Sequence, residues 1–413
     1  MMALQALTQP SRAALALVCL LGIWLRVANL GNVAQRTPDE RVYTHQAKVW
    51  LEFGQAGIRK LVDQYQHDPV VRYYPMPTRA GIIRLVALAQ RTAGRADESA
   101  GAAVSCLASI LSLVIVAIMA ARFLPPWGAL FAVLFYAVSP AELAIARRLW
   151  PDAIAELPAT LAVWMACETA VRSRLLAYLL FALAGAAGLA VRETFPAFLV
   201  FYLLWMVWVL AVDRRERAAA VLLVALTGVA SAGALLWLGS AIGSLPDFVR
   251  MAGNGSAVNA VNDYALRYAS GPPWLVLDAF WIASPIAALC TAAGFCAAFA
   301  GRREKPYGRV LAGLGLATGA CLLLMMCVPH YINLRYFSLL YGPLYLLAGY
   351  GFWCAARICG AWLAERDRAL VATLSAAVIL GAAIGDYLRF QRFFVRDSTP
   401  DLSIRMLQIE RDR

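Results

Sequence analysis

The chain has 413 residues, of which 62% are hydrophobic and only 15% are charged. Soluble globular domains carry about 45–50% apolar and about 25% charged residues, so this composition excludes an ordinary soluble protein. The formal net charge is +12, and all but three of the 37 basic residues are arginines. In a membrane protein such charge marks cytoplasmic loops and contacts with lipid head groups or phosphate, so nucleic acid is not an expected partner.

Apolar segments long enough to cross a bilayer recur along nearly the whole chain. They predict an all-α polytopic membrane protein of about eleven transmembrane helices. The first segment begins after Arg12, as a signal peptide would, but it has no clear small-residue cleavage site and is expected to remain as a span. The predicted spans are 12–30, 98–121, 127–146, 152–171, 175–191, 195–212, 218–240, 274–300, 309–328, 335–357 and 369–388.

The orientation follows from short arginine-rich connections at 172–174, 213–217, 301–309 and 364–368, which are expected in the cytoplasm. With one crossing per span, the connection 122–126 also lies inside, and the connections that alternate with these five lie outside. The predicted divisions are the cytoplasmic N-terminus with the first span (1–30), a first external loop (31–97), a core bundle (98–240), a second external loop (241–273), a C-terminal bundle (274–389) and an external tail (390–413). The second external loop contains Asn-Gly and Gly-Pro-Pro sequences, which predict turns and little regular structure.

The first external loop is expected to contain two amphipathic juxtamembrane helices. One begins at Thr37-Pro38-Asp39-Glu40 and ends at Gly54. The other, over 77–94, includes Arg84 in its apolar stretch and is therefore predicted to lie on the membrane surface, with its arginines at the head groups.

Asp39 and Glu40 form the first candidate catalytic group. An acid pair next to a membrane span, on a face rich in arginine, is suited to act as a general base. The same residues also fit a helix start, because Thr37 and Glu40 have the spacing of a capping box and Asp39 would complement the helix dipole. The spacing alone leaves both interpretations open.

Three further external junctions carry arginine where the positive-inside rule does not expect it. They are the Arg147–Asp152 segment (RRLWPD), Arg192-Glu193-Thr194 and the 329–336 segment (PHYINLRY). One interpretation is a set of interfacial anchors that extend to the head groups. The other is a phosphate site, since arginines at one membrane depth can bind phosphate oxygens with paired hydrogen bonds.

All three histidines, His45, His67 and His330, are predicted on the external side. Together with Asp39 or Asp152 they could ligate a divalent metal. Because no pair has a close His-x-His spacing, no cofactor is assigned and metal dependence stays open.

Four segments resemble, in the same order, motifs of the GT-C-fold membrane glycosyltransferases, namely the protein O-mannosyltransferase and lipid A aminoarabinose-transferase group. Thr37–Tyr43 resembles the acidic first-loop motif, and Tyr73–Pro77 resembles the tyrosine- and proline-rich segment before the second juxtamembrane helix. Ser139–Asp152 resembles the Ser-Pro…Arg…Asp segment, and Asn333–Tyr336 resembles the late Arg-Tyr motif. The sequence departs from the group at Pro75-Met76-Pro77, where a Pro-Pro-Leu is usual.

The resemblance implies a GT-C-type bundle that transfers a sugar, with inversion, from a polyprenyl-phosphate-linked donor to an extracytoplasmic glycan, lipid or protein acceptor. It implies an integral protein of a bacterial inner membrane with its site facing the periplasm or exterior, and membrane lipids as neighbours. Asp39 becomes the expected base. The full set of expected site residues is Asp39, Glu40 and Asp152 for catalysis, Arg148, Arg192, Arg335 and Tyr336 for the donor phosphate, and Tyr43, Tyr74 and His330 for substrate.

Two other functions remain open from the sequence. A transporter or flippase of a phosphorylated lipid would use the same arginines, and it predicts ionisable residues buried at mid-membrane and helices broken in paired repeats. A catalytically inactive partner with the same fold predicts loss of the first-loop acid. Both Asp39 and Glu40 are present.

Overall fold

The computed structural model describes residues 12–33, 35–301, 308–328, 332–361, 365–396 and 402. Its regular structure within these ranges is helical, which confirms the predicted all-α class. The helices are α1 Arg12–Ala28, α2 Pro38–His67, α3 Ala80–Ala93, α4 Glu98–Phe123, α5 Pro126–Val138, α6 Pro140–Ala146, α7 Pro151–Val171, α8 Leu175–Val191, α9 Phe195–Trp208, α10 Arg217–Ile242, α11 Leu245–Val261, α12 Asp263–Tyr268, α13 Leu275–Ala283, α14 Pro285–Ala300, α15 Gly308–Met326, α16 Tyr341–Ala361 and α17 Glu365–Phe390. Short 3-10 turns cover Val71–Tyr73 and Leu334–Leu340, and π-helical turns extend α9 to Asp213 and α17 to Arg396.

Seven of the described helices are long and apolar enough to cross a membrane, and the bent pair α5–α6 brings the number to eight. The chain is thus an integral membrane protein. All eleven predicted apolar segments are helical in the described residues, and the apolar helices α1, α8 and α14 are shorter, at 17, 17 and 16 residues. Two predicted spans are divided by proline, because Pro140 and Pro285 each start a new helix within them.

Glycines allow the tightest helix contacts in the bundle. A Cβ atom at Gly351 of α16 would lie 2.0 Å from the carbonyl oxygen of Cys290 in α14, and one at Gly294 would lie 2.0 Å from that of Leu347. Small residues at such contacts let two helix backbones pack closely. The α14–α16 pair therefore depends on the absence of these two side chains.

We expect Gly351→Ala to lower the thermal unfolding temperature of the detergent-solubilised protein. The added methyl group meets backbone rather than a movable side chain, and overpacking of this kind costs about 1–3 kcal/mol. Gly381→Ala in α17 is the matched control, because the space around its Cβ position is open. Equal unfolding temperatures for the two variants would contradict the close packing of α14 and α16.

The first loop folds into α2 and α3, which pack on each other. The capping box at Thr37 is formed, since its backbone N–H donates to Glu40 Oε2 at 2.8 Å. Gly54, with φ of 55°, produces a kink rather than the predicted end, and α2 continues to His67. On α3, the Arg84 guanidinium lies over the Trp50 and Trp237 rings at 4.6 and 4.5 Å, so it packs within the protein.

The segment 241–273 is more ordered than predicted. Most of it forms α11 and α12, so the expectation of little regular structure was wrong. Local capping explains the difference, because the Ser244 hydroxyl accepts from the backbone N–H of Asp247 and the Asn262 side chain accepts from that of Tyr264. These two helices bring Asn262 and Tyr264 to the candidate site.

Candidate active site

A cavity of about 400 Å³ lies where four inter-helix junctions meet. Each of the four motifs singled out from the sequence contributes to its wall. The start of α2 supplies Asp39, the start of α7 supplies Asp152, the α8–α9 junction supplies Arg192, and the turn before α16 supplies Arg335. Residues from Tyr65 to Arg79 and the α11–α12 segment complete the lining.

Acid–arginine pairs form the polar part of this wall. The three pairs are Asp39–Arg335 at 3.3 Å, Asp152–Arg192 at 3.1 Å and Glu193–Arg79 at 2.5 Å. A fourth arginine of the lining, Arg72, donates to the backbone carbonyls of Tyr65 and Gln66. Four cations thus face three carboxylates, so the cavity wall has an excess of positive charge suited to an anionic ligand.

The two aspartates of the wall differ in the exposed fraction of their side chains. The Asp39 side chain is 33% exposed, whereas the Asp152 side chain is 2% exposed. Asp39 lies in the first turn of α2, and Arg335 reaches one of its oxygens, Oδ2, through both Nη atoms. Asp39 is therefore the aspartate in the wall that an incoming group can approach directly.

Tyr336 lies between the arginines of two pairs. Its ring centroid is 5.1 Å from the Arg335 guanidinium carbon and 5.3 Å from that of Arg192, and Arg335 also lies 4.9 Å from the Trp150 ring. Aromatic faces attract and orient guanidinium groups. Two of the three arginines predicted to bind phosphate, Arg192 and Arg335, are thus held near each other by contact with the same ring.

Arg79 and Glu193 form a bidentate pair that the sequence analysis did not identify. Arg79 Nε donates to Glu193 Oε2 at 2.9 Å, and the Tyr43 hydroxyl accepts from Arg79 Nη1. Burial raises the pKa of Glu193, but the charge and hydrogen bonds of Arg79 outweigh it, so the Glu193 pKa lies below its ordinary value. Burial raises the pKa of Tyr43, which contacts Arg79 behind the wall and does not line the cavity.

Glu40 and Arg148 form a buried pair behind the wall, although the sequence suggested catalysis for one and phosphate binding for the other. Glu40 Oε2 accepts from Arg148 Nη1 at 3.0 Å, and Glu40 Oε1 accepts from Arg36 and from the Leu149 backbone N–H. Neither Glu40 nor Arg148 lines the cavity. Burial raises the pKa of Glu40. The charges of Arg148 and Arg36 and the two backbone N–H donors lower it by a larger amount, so the Glu40 pKa lies below its ordinary value.

We expect Glu40→Gln to destabilise the fold by about 3–5 kcal/mol, because removing one partner leaves Arg148 as an uncompensated buried charge. Thermal unfolding in detergent measures the loss, and Glu52→Gln, on the exposed side of the same helix, is the control. Because folding lowers the pKa of Glu40, its contribution to stability is present above the unfolded pKa and is lost as pH falls through the folded pKa. A variant as stable as wild type at neutral pH would contradict this role.

The remaining predicted residues divide into two groups. Tyr74 and Tyr336 line the cavity, together with Tyr73 of the same tyrosine- and proline-rich segment. Tyr65 and Tyr264 also line it, and no sequence motif pointed to these two. His330 lies outside the described residues. Elsewhere, His67 lies 3.2 Å from Asp63 at the surface. In the part of the chain that the structure describes, no three His, Cys, Asp or Glu side chains are grouped to hold a metal.

Residues 83–237 match the family model described as dolichyl-phosphate-mannose-protein mannosyltransferase, a little over a third of the chain. No curated protein matches the sequence significantly.

Solved structures match nearly the whole chain. One is ArnT from Cupriavidus metallidurans bound to undecaprenyl phosphate, with a TM-score of 0.57, 14% identity, and coverage of 96% of this chain and 77% of that one. Another is the oligosaccharyltransferase AglB from Archaeoglobus fulgidus in complex with an inhibitory peptide and a dolichol-phosphate, with a TM-score of 0.62, 12% identity, and coverage of 95% and 56%. This chain thus spans little more than half of the archaeal protein. The structure confirms the resemblance found in the sequence: the chain has the GT-C fold of membrane glycosyltransferases.

Proposed function

We propose that the protein transfers a sugar, with inversion, from a polyprenyl-phosphate-linked donor to an acceptor outside the cytoplasm. One observation carries the proposal: a single cavity combines an exposed carboxylate, Asp39, with two adjacent arginines, Arg335 and Arg192. The fold supports it, since ArnT with undecaprenyl phosphate and AglB with a dolichol-phosphate share the architecture. On this proposal the site faces the periplasm or exterior of a bacterial inner membrane.

The contact between Asp39 and Arg335 suggests how the donor prepares the site. Both Arg335 Nη atoms point to one oxygen of Asp39, at 3.3 Å. A donor phosphate accepts charge-assisted hydrogen bonds from the same guanidinium and competes with the carboxylate for it. Once Arg335 binds phosphate, Asp39 is available to accept a proton from the acceptor.

The reaction then needs one base and a stabilised leaving group. Asp39 takes the proton of the acceptor hydroxyl as its oxygen attacks the anomeric carbon, and the bond from that carbon to the phosphate oxygen breaks. The electron pair of this bond remains on the polyprenyl phosphate, where Arg335 and Arg192 stabilise the charge. Phosphate is a good leaving group without protonation, so the second carboxylic acid of a glycosidase is not required. A single displacement inverts the anomeric centre.

Asp152 and Glu193 have supporting positions in this scheme. Asp152 is buried and holds Arg192, and Glu193 holds Arg79 in a bidentate pair. Each keeps a cation oriented toward the cavity before substrate binds. The tyrosines of the wall offer flat apolar surfaces and hydroxyls, which suit a sugar or a glycan, lipid or protein acceptor.

Native mass spectrometry of the detergent-purified protein tests the proposal. We expect the wild-type protein to retain added undecaprenyl phosphate and to retain much less of the matching polyprenol, which has the same chain without phosphate. Equal retention of the two lipids would contradict a phosphate site. Sugar transfer from a polyprenyl-phosphate sugar then separates a transferase from a flippase or an inactive partner, both of which would bind the lipid without turnover.

A further inference from the structure

Next to the start of α7 lies a group of buried ionisable residues that the proposed reaction does not use. Glu142 of α6 and Glu156 of α7 are both fully buried, and their carboxyl groups lie close enough to interact directly. Glu156 is one helical turn, about 6 Å, along α7 from Asp152. The two glutamates therefore join the helices on either side of the Arg147–Trp150 loop.

One buried arginine faces these two acids. Arg26 of α1 lies 3.5 Å from Glu142 Oε2, and both side chains are completely buried. The same oxygen accepts from the Ser109 hydroxyl of α4 at 3.0 Å, and Arg26 Nε donates to that hydroxyl at 2.7 Å. On the other side, Glu156 Oε1 accepts from the Tyr136 hydroxyl of α5 at 2.5 Å.

The charges of this group balance when one carboxyl is neutral. Two ionised carboxylates in contact, facing one guanidinium, would leave a net negative charge buried in the bundle, which is costly. The other oxygen of each acid, Glu142 Oε1 and Glu156 Oε2, has no hydrogen-bond donor among the described residues. A proton between the two carboxyl groups supplies the missing donor and removes the excess charge.

We infer that Glu142 and Glu156 hold one proton between them, and that this proton-binding pair fixes the position of Asp152 in the cavity. With the proton present the two acids link α6 to α7 by a hydrogen bond, and without it they repel each other. The start of α7 carries Asp152, whose backbone carbonyl also accepts from the Ser338 hydroxyl. The groups that face the pair are Arg26, Ser109, Tyr136, Asp152, Tyr341 and Tyr345.

Infrared spectroscopy tests the shared proton without any assay of activity. We expect the wild-type protein at neutral pH to show a carboxylic acid C=O band that Glu156→Gln removes, because an amide replaces the protonated acid. Glu142→Gln should remove the band as well, since Glu156 then stays ionised against Arg26. Glu168→Gln, which changes an acid of α7 paired with Arg122, should leave the band unchanged. A wild-type spectrum identical to that of Glu156→Gln would overturn the inference.

Thermal unfolding gives a second test that distinguishes a shared proton from two independent acids. Either single glutamine leaves one carboxylate for Arg26 and one hydrogen bond between the helices, so we expect small shifts in unfolding temperature. The double variant Glu142→Gln/Glu156→Gln leaves Arg26 without a counter-ion, and its shift should exceed the sum of the two single shifts. Additive shifts would contradict the shared site.

The positioning role rests on the proposed transferase activity and is tested by its pH profile. The wild-type rate should fall at alkaline pH as the shared proton is lost, and Glu156→Gln, which keeps the link at any pH, should extend activity to higher pH. Identical profiles would overturn the positioning role while leaving the infrared result intact. Absence of transfer in both proteins, with the infrared band present, would count against the proposed function instead.

Discussion

Replacing Asp39 with asparagine is expected to reduce sugar transfer by about 10²–10⁴-fold, the range typical of a lost general base. Asparagine keeps the size of the side chain but cannot take the proton of the acceptor hydroxyl. Because Arg335 loses its counter-ion and gains freedom to bind phosphate, retention of undecaprenyl phosphate should stay equal or increase. Turnover with a polyprenyl-phosphate sugar and native mass spectrometry measure the two effects separately.

Asp63→Asn is the matched control for this variant. Asp63 lies on the same helix, α2, but its side chain is 74% exposed and outside the cavity. We expect wild-type turnover for the control. Near wild-type turnover in Asp39→Asn would reject Asp39 as the base and would direct attention to Glu193 or Asp152.

Replacing Arg335 with alanine is expected to weaken binding of undecaprenyl phosphate by about 10–100-fold. Hydrogen bonds to charged groups contribute about 1.5–3 kcal/mol, and about 1.4 kcal/mol corresponds to a factor of ten. Transfer should fall further than affinity, because on the proposed function Arg335 also stabilises the leaving phosphate in the transition state. Lipid titration by native mass spectrometry measures the affinity. Initial rates at saturating donor measure the loss of transfer that remains once the donor is bound.

Arg91→Ala provides the comparison for Arg335→Ala. Arg91 is an exposed arginine of α3 and does not line the cavity. A loss of lipid binding that is the same in both variants would show a general effect of positive charge at the membrane rather than a specific phosphate contact. An unchanged affinity in Arg335→Ala would remove this residue from the site.

The sequence predicted which segments meet at the cavity, but it did not predict which side chains of those segments face it. Asp39 and Glu40 are neighbours in one helical turn, about 100° apart around the axis, so one points to the cavity and the other into the bundle. Arg147 and Arg148 show the same ambiguity. Arg147 donates to the carbonyls of Asn32 and Phe394, and Arg148 pairs with Glu40. Which side chain of a helical turn faces the cavity depends on the neighbouring helices, and a short sequence motif does not contain those neighbours.

Ion pairs between residues far apart in the sequence could not be predicted for a related reason. Arg79 and Glu193 are 114 positions apart, and each is a plausible surface charge when it is considered alone. The division of two predicted spans was also missed, because apolar composition does not show where a proline starts a new helix. By contrast, four motifs of low individual specificity sufficed to predict the fold, because they occur in the expected order. Each of them lies at a junction on the same side of the bundle.

The pairing of every wall carboxylate with an arginine has a consequence for the end of the reaction cycle. A polyprenyl-phosphate sugar is a diester with one negative charge, whereas the polyprenyl phosphate left after transfer is a monoester, which approaches two negative charges at neutral pH. On the proposed function, the spent lipid is therefore expected to bind the cationic wall more tightly than the fresh donor does. Asp39 and Asp152 would compete with it for Arg335 and Arg192, so their pairs would favour its departure. Removing either carboxylate would then slow turnover by product inhibition as well as by chemistry.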